Sequence, residues 1–82
     1  NERKVKLMVE RKIKLNELEE VKEFVSVASQ CDFDIDVFYN RVIIDAKSML
    51  GVLSLDLTKT LTVKYGGRDM KFEDVLSKYS AS

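Results

Sequence analysis

Asp32-Phe33-Asp34-Ile35-Asp36-Val37-Phe38-Tyr39-Asn40-Arg41-Val42-Ile43-Ile44-Asp45 is the stretch that decides the fold. Asp32, Asp34 and Asp36 alternate with Phe33, Ile35 and Val37, the two-residue period of a strand with one wet face and one dry face. A second strand follows at once in Arg41-Val42-Ile43-Ile44-Asp45, and Tyr39-Asn40 between the runs predicts a tight reversal. Strands joined by so short a link must pair antiparallel. The three aspartates superficially resemble a calcium loop, but the glycine and the distal glutamate of such a loop are missing, so a solvated strand face explains them better.

Upstream of this hairpin, Leu18, Val21, Phe24, Val25 and Ala28 recur at helical spacing while Glu19, Glu20, Lys22 and Glu23 face water. The spacing predicts a helix ending near Ser29, with Asn16 as its cap and Glu19 closing a capping box. Before it, Val5, Leu7 and Val9 alternate with Lys4, Lys6 and Met8, which predicts a strand over residues 3–9, and the charged residues 10–15 read as a connection. Downstream, residues 47–55 return to a helical pattern with Met49, Leu50 and Leu53 on one side and Ser48 placed to cap the start; Gly51 weakens that helix by about 1 kcal/mol relative to alanine. Leu61, Val63 and Tyr65 alternate with Thr60, Thr62 and Lys64 in a further strand stopped by Gly66-Gly67. Asp69 then caps a last helix carrying Phe72, Val75, Leu76 and Tyr79, and the patternless Ser80-Ala81-Ser82 closes the chain.

The resulting order is βαββαβα, an α+β domain in which a four-stranded antiparallel sheet is covered on one face by three helices. Eighty-two residues make one domain, residues 1–82, and 45% apolar with 34% charged residues is the mixture of a globular chain. Fourteen basic residues balance fourteen acidic ones, so no net field draws the protein to nucleic acid or to an anionic membrane. With no histidine and one cysteine, the chain can build neither a Cys/His zinc site nor a Ser-His or Cys-His nucleophilic pair. The lone Cys31 fits a reducing compartment, and no apolar run approaches the ~20 residues of a membrane span, so a cytoplasmic protein is expected; no cofactor, metal or small-molecule substrate is expected either.

Ala46-Lys47-Ser48-Met49-Leu50-Gly51-Val52-Leu53-Ser54-Leu55 resembles the regulatory-serine segment of HPr, the phosphocarrier family of the bacterial sugar phosphotransferase system. The family pattern of Lys-Ser, two apolar residues, Gly, an apolar pair and Ser-Leu is met at every position, and the element order agrees with the family's open-faced β-sandwich. The family's catalytic segment, His-Thr-Arg-Pro-Ala, lies seven residues before a Phe-Val pair. Counting back from Phe24-Val25 reaches Glu17, in a segment reading Glu17-Leu18-Glu19-Glu20-Val21. The resemblance thus places Glu17 where the family carries its phosphohistidine. It is nearest to Crh-type members, which keep the serine and lack the histidine.

Such a resemblance implies a non-enzymatic regulator of carbon metabolism, phosphorylated at Ser48 by an HPr-type kinase and then bound by a transcriptional regulator of carbon use. The implied contact surface is Lys47, Met49, Leu50, Gly51 and Leu53. Two other functions stand beside it: a genuine phosphocarrier passing phosphoryl groups between proteins, and an interaction domain whose phosphorylation has been lost. Each feature also has a plainer reading. Ser48 is equally a helix cap; Met49, Leu50 and Leu53 equally complete a core, which their spacing favours; Glu17 is either a fixed-charge mimic of phosphohistidine or an acid suited to a first helical turn. The cluster Arg3, Lys4, Lys6, Arg11, Lys12 and Lys14 reads as ordinary surface, and Cys31 as a small packing residue.

Overall fold

The computed structural model describes residues 8–81. Its elements are β1 (Val9–Ile13), α1 (Leu18–Ser29), β2 (Ile35–Tyr39), β3 (Val42–Asp45), α2 (Met49–Leu53), β4 (Leu61–Tyr65) and α3 (Met70–Lys78), in the expected βαββαβα order. The strands form one sheet in the order β1-β4-β2-β3, and every neighbouring pair is antiparallel.

Alternation along the strands sorts the sheet into two faces. Ile13, Ile35, Val37, Leu61, Val63 and Tyr65 are fully buried beneath the helices. Val21, Phe24 and Ala28 of α1 and Phe72 and Leu76 of α3 meet them. Phe72 is the centre of this layer: its ring stands edge-on to Tyr65 at 5.1 Å and contacts Phe24 and Phe33 at 6.0 and 6.5 Å. Burial of a phenylalanine of this kind contributes about 1.5–3 kcal/mol. The opposite face is wet. Glu10, Lys64, Asp36 and Asp45 fall in one cross-strand row and Lys12, Thr62, Phe38 and Ile43 in the next. Lys64 reaches Glu10 at 3.9 Å and lies 4.8 Å above the Phe38 ring.

Several boundaries differ from those expected. The first strand is Val9–Ile13, which shares only Val9 with the expected strand and otherwise lies inside the segment 10–15 read as a connection; residues 3–7 of the expected strand lie outside the described residues. The inward positions here are Val9, Arg11 and Ile13, and a polar Arg11 hides the alternation. Its guanidinium is held on the helix side by Glu73 of α3 at 2.9 Å. β2 begins only at Ile35, so of the three aspartates Asp36 alone lies on the strand's wet face. The reversal is made by Asn40-Arg41 rather than Tyr39-Asn40, with Asn40 in the left-handed region at φ 54°. Leu18 is exposed, so the buried stripe of α1 starts at Val21. The terminal Ser80-Ala81 is not patternless in space: Ser80 bridges Ile13, Ala81 donates to the Lys12 carbonyl at 2.9 Å, and Lys14 donates to the Tyr79 carbonyl at 2.9 Å.

Candidate functional site

Ser48 is placed by the turn that leaves β3. The Asp45 carboxylate accepts the Lys47 N–H at 2.9 Å, and the Asp45 carbonyl accepts the Ser48 N–H at 2.9 Å. Ser48 itself is extended, its carbonyl starts α2 by accepting from Val52, and its Oγ accepts the Gly51 N–H at 3.0 Å. It is thus a helix cap with an exposed side chain, as its position in the sequence predicts. Lys47 turns the other way, donating from Nζ to the Cys31 carbonyl at 2.8 Å, just past the end of α1. A cation there also faces the negative end of the α1 dipole.

α2 is shorter than the segment 47–55 expected from the pattern, and its inward face is different. Val52 is fully buried and Leu55, just beyond the helix, nearly so; Met49 is half-buried against the core. Leu50 is 83% exposed and Leu53 39%. The core assignment made from spacing is therefore wrong for Leu50 and Leu53. Met49/Val52 and Leu50/Leu53 are both i, i+3 pairs, and a helix of this length offers periodicity no means of choosing between them. Gly51 is needed for close approach to the sheet, since a Cβ there would sit 2.6 Å from Ile44 Cγ2 and 3.0 Å from Ser48 Oγ.

Glu17 occupies a second location, the start of α1. It is the cap residue, exposed, with extended backbone and no side-chain capping bond; its carbonyl accepts from Glu20 and Val21 at 3.0 and 3.1 Å. The expected box of Asn16 with Glu19 is shifted by one residue, because the Glu20 carboxylate accepts the Asn16 N–H at 2.7 Å. Glu19 and Glu20 add negative charge in the first turn, favourable to the helix dipole and hostile to an arriving phosphate. α1 packs on α2, but Glu17 is not bonded to the Lys47–Leu53 stretch among the described contacts.

Elsewhere, polar groups tie helices down. Tyr65 donates from its hydroxyl to Glu73 at 2.6 Å, and burial, followed by the Glu73 carboxylate, pushes its phenol up to about 12. Glu23 accepts from Tyr79 and from Lys78, contacts that hold its carboxyl below the usual range. Cys31 is buried, and that burial raises its thiol, consistent with a packing role. Pattern reading missed the Arg11–Glu73–Tyr65 link because its members come from three elements far apart in sequence. A cavity of about 230 Å³ lined by Met8, Phe33, Asp34, Asp36 and Gly66 includes none of the expected site residues.

No family model and no curated protein sequence matches this chain. Among solved structures it is similar to the phosphocarrier protein HPr from Bacillus anthracis str. Ames, with a TM-score of 0.68. The match covers 89% of this chain and 98% of that one. The chain has the HPr fold. Sequence identity to that protein is 20%, so the likeness is one of architecture. No helix among the described residues is long and apolar enough to cross a membrane.

Proposed function

We propose that this chain is a regulatory HPr-like protein, acting by protein binding and switched by phosphorylation at Ser48. The observation that carries the reading is an exposed serine at the start of α2 with Leu50, 83% exposed, beside it. An HPr-type kinase would transfer the γ-phosphoryl group of ATP to Ser48 Oγ, releasing ADP and the hydroxyl proton. The product carries about −1.5 to −2 charges at a place where the Gly51 N–H already points at an acceptor. Leu50, Leu53 and the exposed part of Met49 then offer an apolar patch beside a new anion to a transcriptional regulator of carbon use, with Gly51 setting the helix close against the sheet beneath them and Lys47 anchoring the preceding turn to the Cys31 carbonyl.

Phosphocarrier chemistry lacks its acceptor here, because the chain contains no histidine. Glu17, which stands for that histidine in this reading, could form only a labile acyl phosphate, and Glu19 and Glu20 repel an incoming dianion. The protein catalyses nothing itself. Titration of a catabolite-type transcriptional regulator with unmodified and Ser48-phosphorylated protein tests the switch. The phosphorylated form binds more tightly; equal affinity for the two forms overturns the proposal.

A further inference from the structure

The two outer edges of the sheet are treated differently. On β1 the free edge is partly covered by the C-terminal tail, through the Ile13–Ser80 bridge and the bonds of Lys12 and Lys14 to Ala81 and Tyr79. No described strand pairs with the outer edge of β3. This strand has neither a proline nor a lysine, and Val42 and Ile43 are 44% and 59% exposed. An open apolar edge of this kind is a template for another strand.

The hydrogen-bond register shows what that edge offers. Ala46 donates to the Ile35 carbonyl at 2.9 Å, continuing the β2–β3 ladder by one pair beyond Asp36 and Asp45. Antiparallel pairs alternate between bonded and non-bonded, so Val37/Ile44 and Tyr39/Val42 are bonded while Asp36/Asp45 and Phe38/Ile43 are not. The main-chain groups of Ile43 and Asp45 therefore point away from β2, toward the open edge. The Asp45 carbonyl is taken by Ser48, which leaves the Ile43 N–H and carbonyl and the Asp45 N–H unengaged by any strand among the described residues.

The side chains of this strand are self-complementary about its middle. With Ile43 at the centre, Arg41 lies two residues to one side and Asp45 two residues to the other, all three exposed. An antiparallel pairing of two copies about a two-fold axis through Ile43 sets Ile43 against Ile43, Val42 against Ile44, and each Arg41 against the other copy's Asp45. The residues whose main-chain groups face outward are the same ones this register opposes. A formal charge of zero removes long-range repulsion between copies.

We infer that β3 is a self-association edge, joining two copies of this chain through antiparallel β3–β3 pairing centred on Ile43. The strand is short, so the dimer is weak and forms only as concentration rises. Sedimentation of the full chain from micromolar to millimolar concentration should show the average mass rising toward twice that of the monomer, with the Ile43 amide gaining protection from hydrogen exchange over the same range.

Charge reversal distinguishes this edge from any other contact. Arg41→Asp places aspartates opposite each other twice per dimer, and Asp45→Arg does the same with arginines, so each variant alone should associate on the order of tenfold more weakly. An equimolar mixture restores Arg–Asp pairing at both positions and regains association. Asp45→Arg also removes the Lys47 turn contact, so Ile43→Lys, outside that turn, is the second disruptive variant. Purely monomeric behaviour at millimolar concentration, an Ile43 amide already protected in the monomer, or single reversals that associate like the parent would each overturn the inference.

Discussion

Gly51→Ala probes the contact that sets α2, and hence Ser48, against the sheet. Two opposed effects enter. Alanine in a helix interior is favoured over glycine by about 1 kcal/mol. The added Cβ, however, would lie 2.6 Å from Ile44 Cγ2, closer than carbon atoms approach, and 3.0 Å from the Ser48 Oγ that caps the helix. Ile44 is β-branched and half-buried against the core, so it cannot swing aside freely. Overpacking of this kind costs about 1–3 kcal/mol, so Gly51→Ala should destabilise by up to about 2 kcal/mol. Shortening the obstacle reverses the sign: in an Ile44→Ala background the 2.6 Å clash is gone, the Ser48 contact remains, and the same substitution should stabilise by up to about 1 kcal/mol. The coupling across the double-mutant cycle is then about 1–3 kcal/mol, read from urea unfolding of the four proteins. A gain from Gly51→Ala in both backgrounds, with coupling below about 0.3 kcal/mol, would refute the close approach of α2 to β3.

Ser48→Ala removes the Gly51 cap and should cost about 1 kcal/mol in thermal or urea unfolding, while Ser48→Asp, which also accepts from that N–H, should recover most of it. Asp69→Ala should cost a similar amount, since Asp69 Oδ1 accepts the Phe72 N–H at 2.9 Å at the start of α3. Tyr65 gives an alkaline signature. Because the folded protein holds the phenolic proton more tightly than the unfolded chain, this contribution is complete below pH 10 and fades as pH rises toward about 12, and Tyr65→Phe should flatten that decline. Glu17→His should accept phosphate from the general phosphotransferase enzyme if the surroundings of the family's site persist, and remain inert if they too have changed; intact mass decides.

The sheet was legible wherever apolar side chains alternate with polar ones. β3 and β4 emerge within a residue of their observed limits, because one face of each is dry and the other wet, whereas the alternation read from Asp32 runs three residues ahead of the start of β2 at Ile35. Residues 10–13 of β1 read as a connection because the strand's middle inward residue is Arg11, which satisfies the helix-side position by pairing with Glu73 rather than by being apolar. Caps were read with equal ease where the side chain does the capping, at Ser48 and Asp69, and misread at α1, where Glu20 reaches back to the Asn16 N–H instead. At the site, the position and exposure of Ser48 follow from the local pattern. The burial of Val52 in place of Leu50 and Leu53 does not, since it depends on which side of a five-residue helix meets Ile44. The open edge of β3 depends on strand order, which no local pattern contains.

The central claim rests on whether Ser48 accepts phosphate. Intact-mass measurement after incubation with an HPr kinase and ATP, beside a Ser48→Ala control, tests it most directly. One phosphoryl group on the parent chain and none on the control is the predicted result. An unmodified parent chain, with the kinase active on an ordinary HPr in the same experiment, would contradict the account.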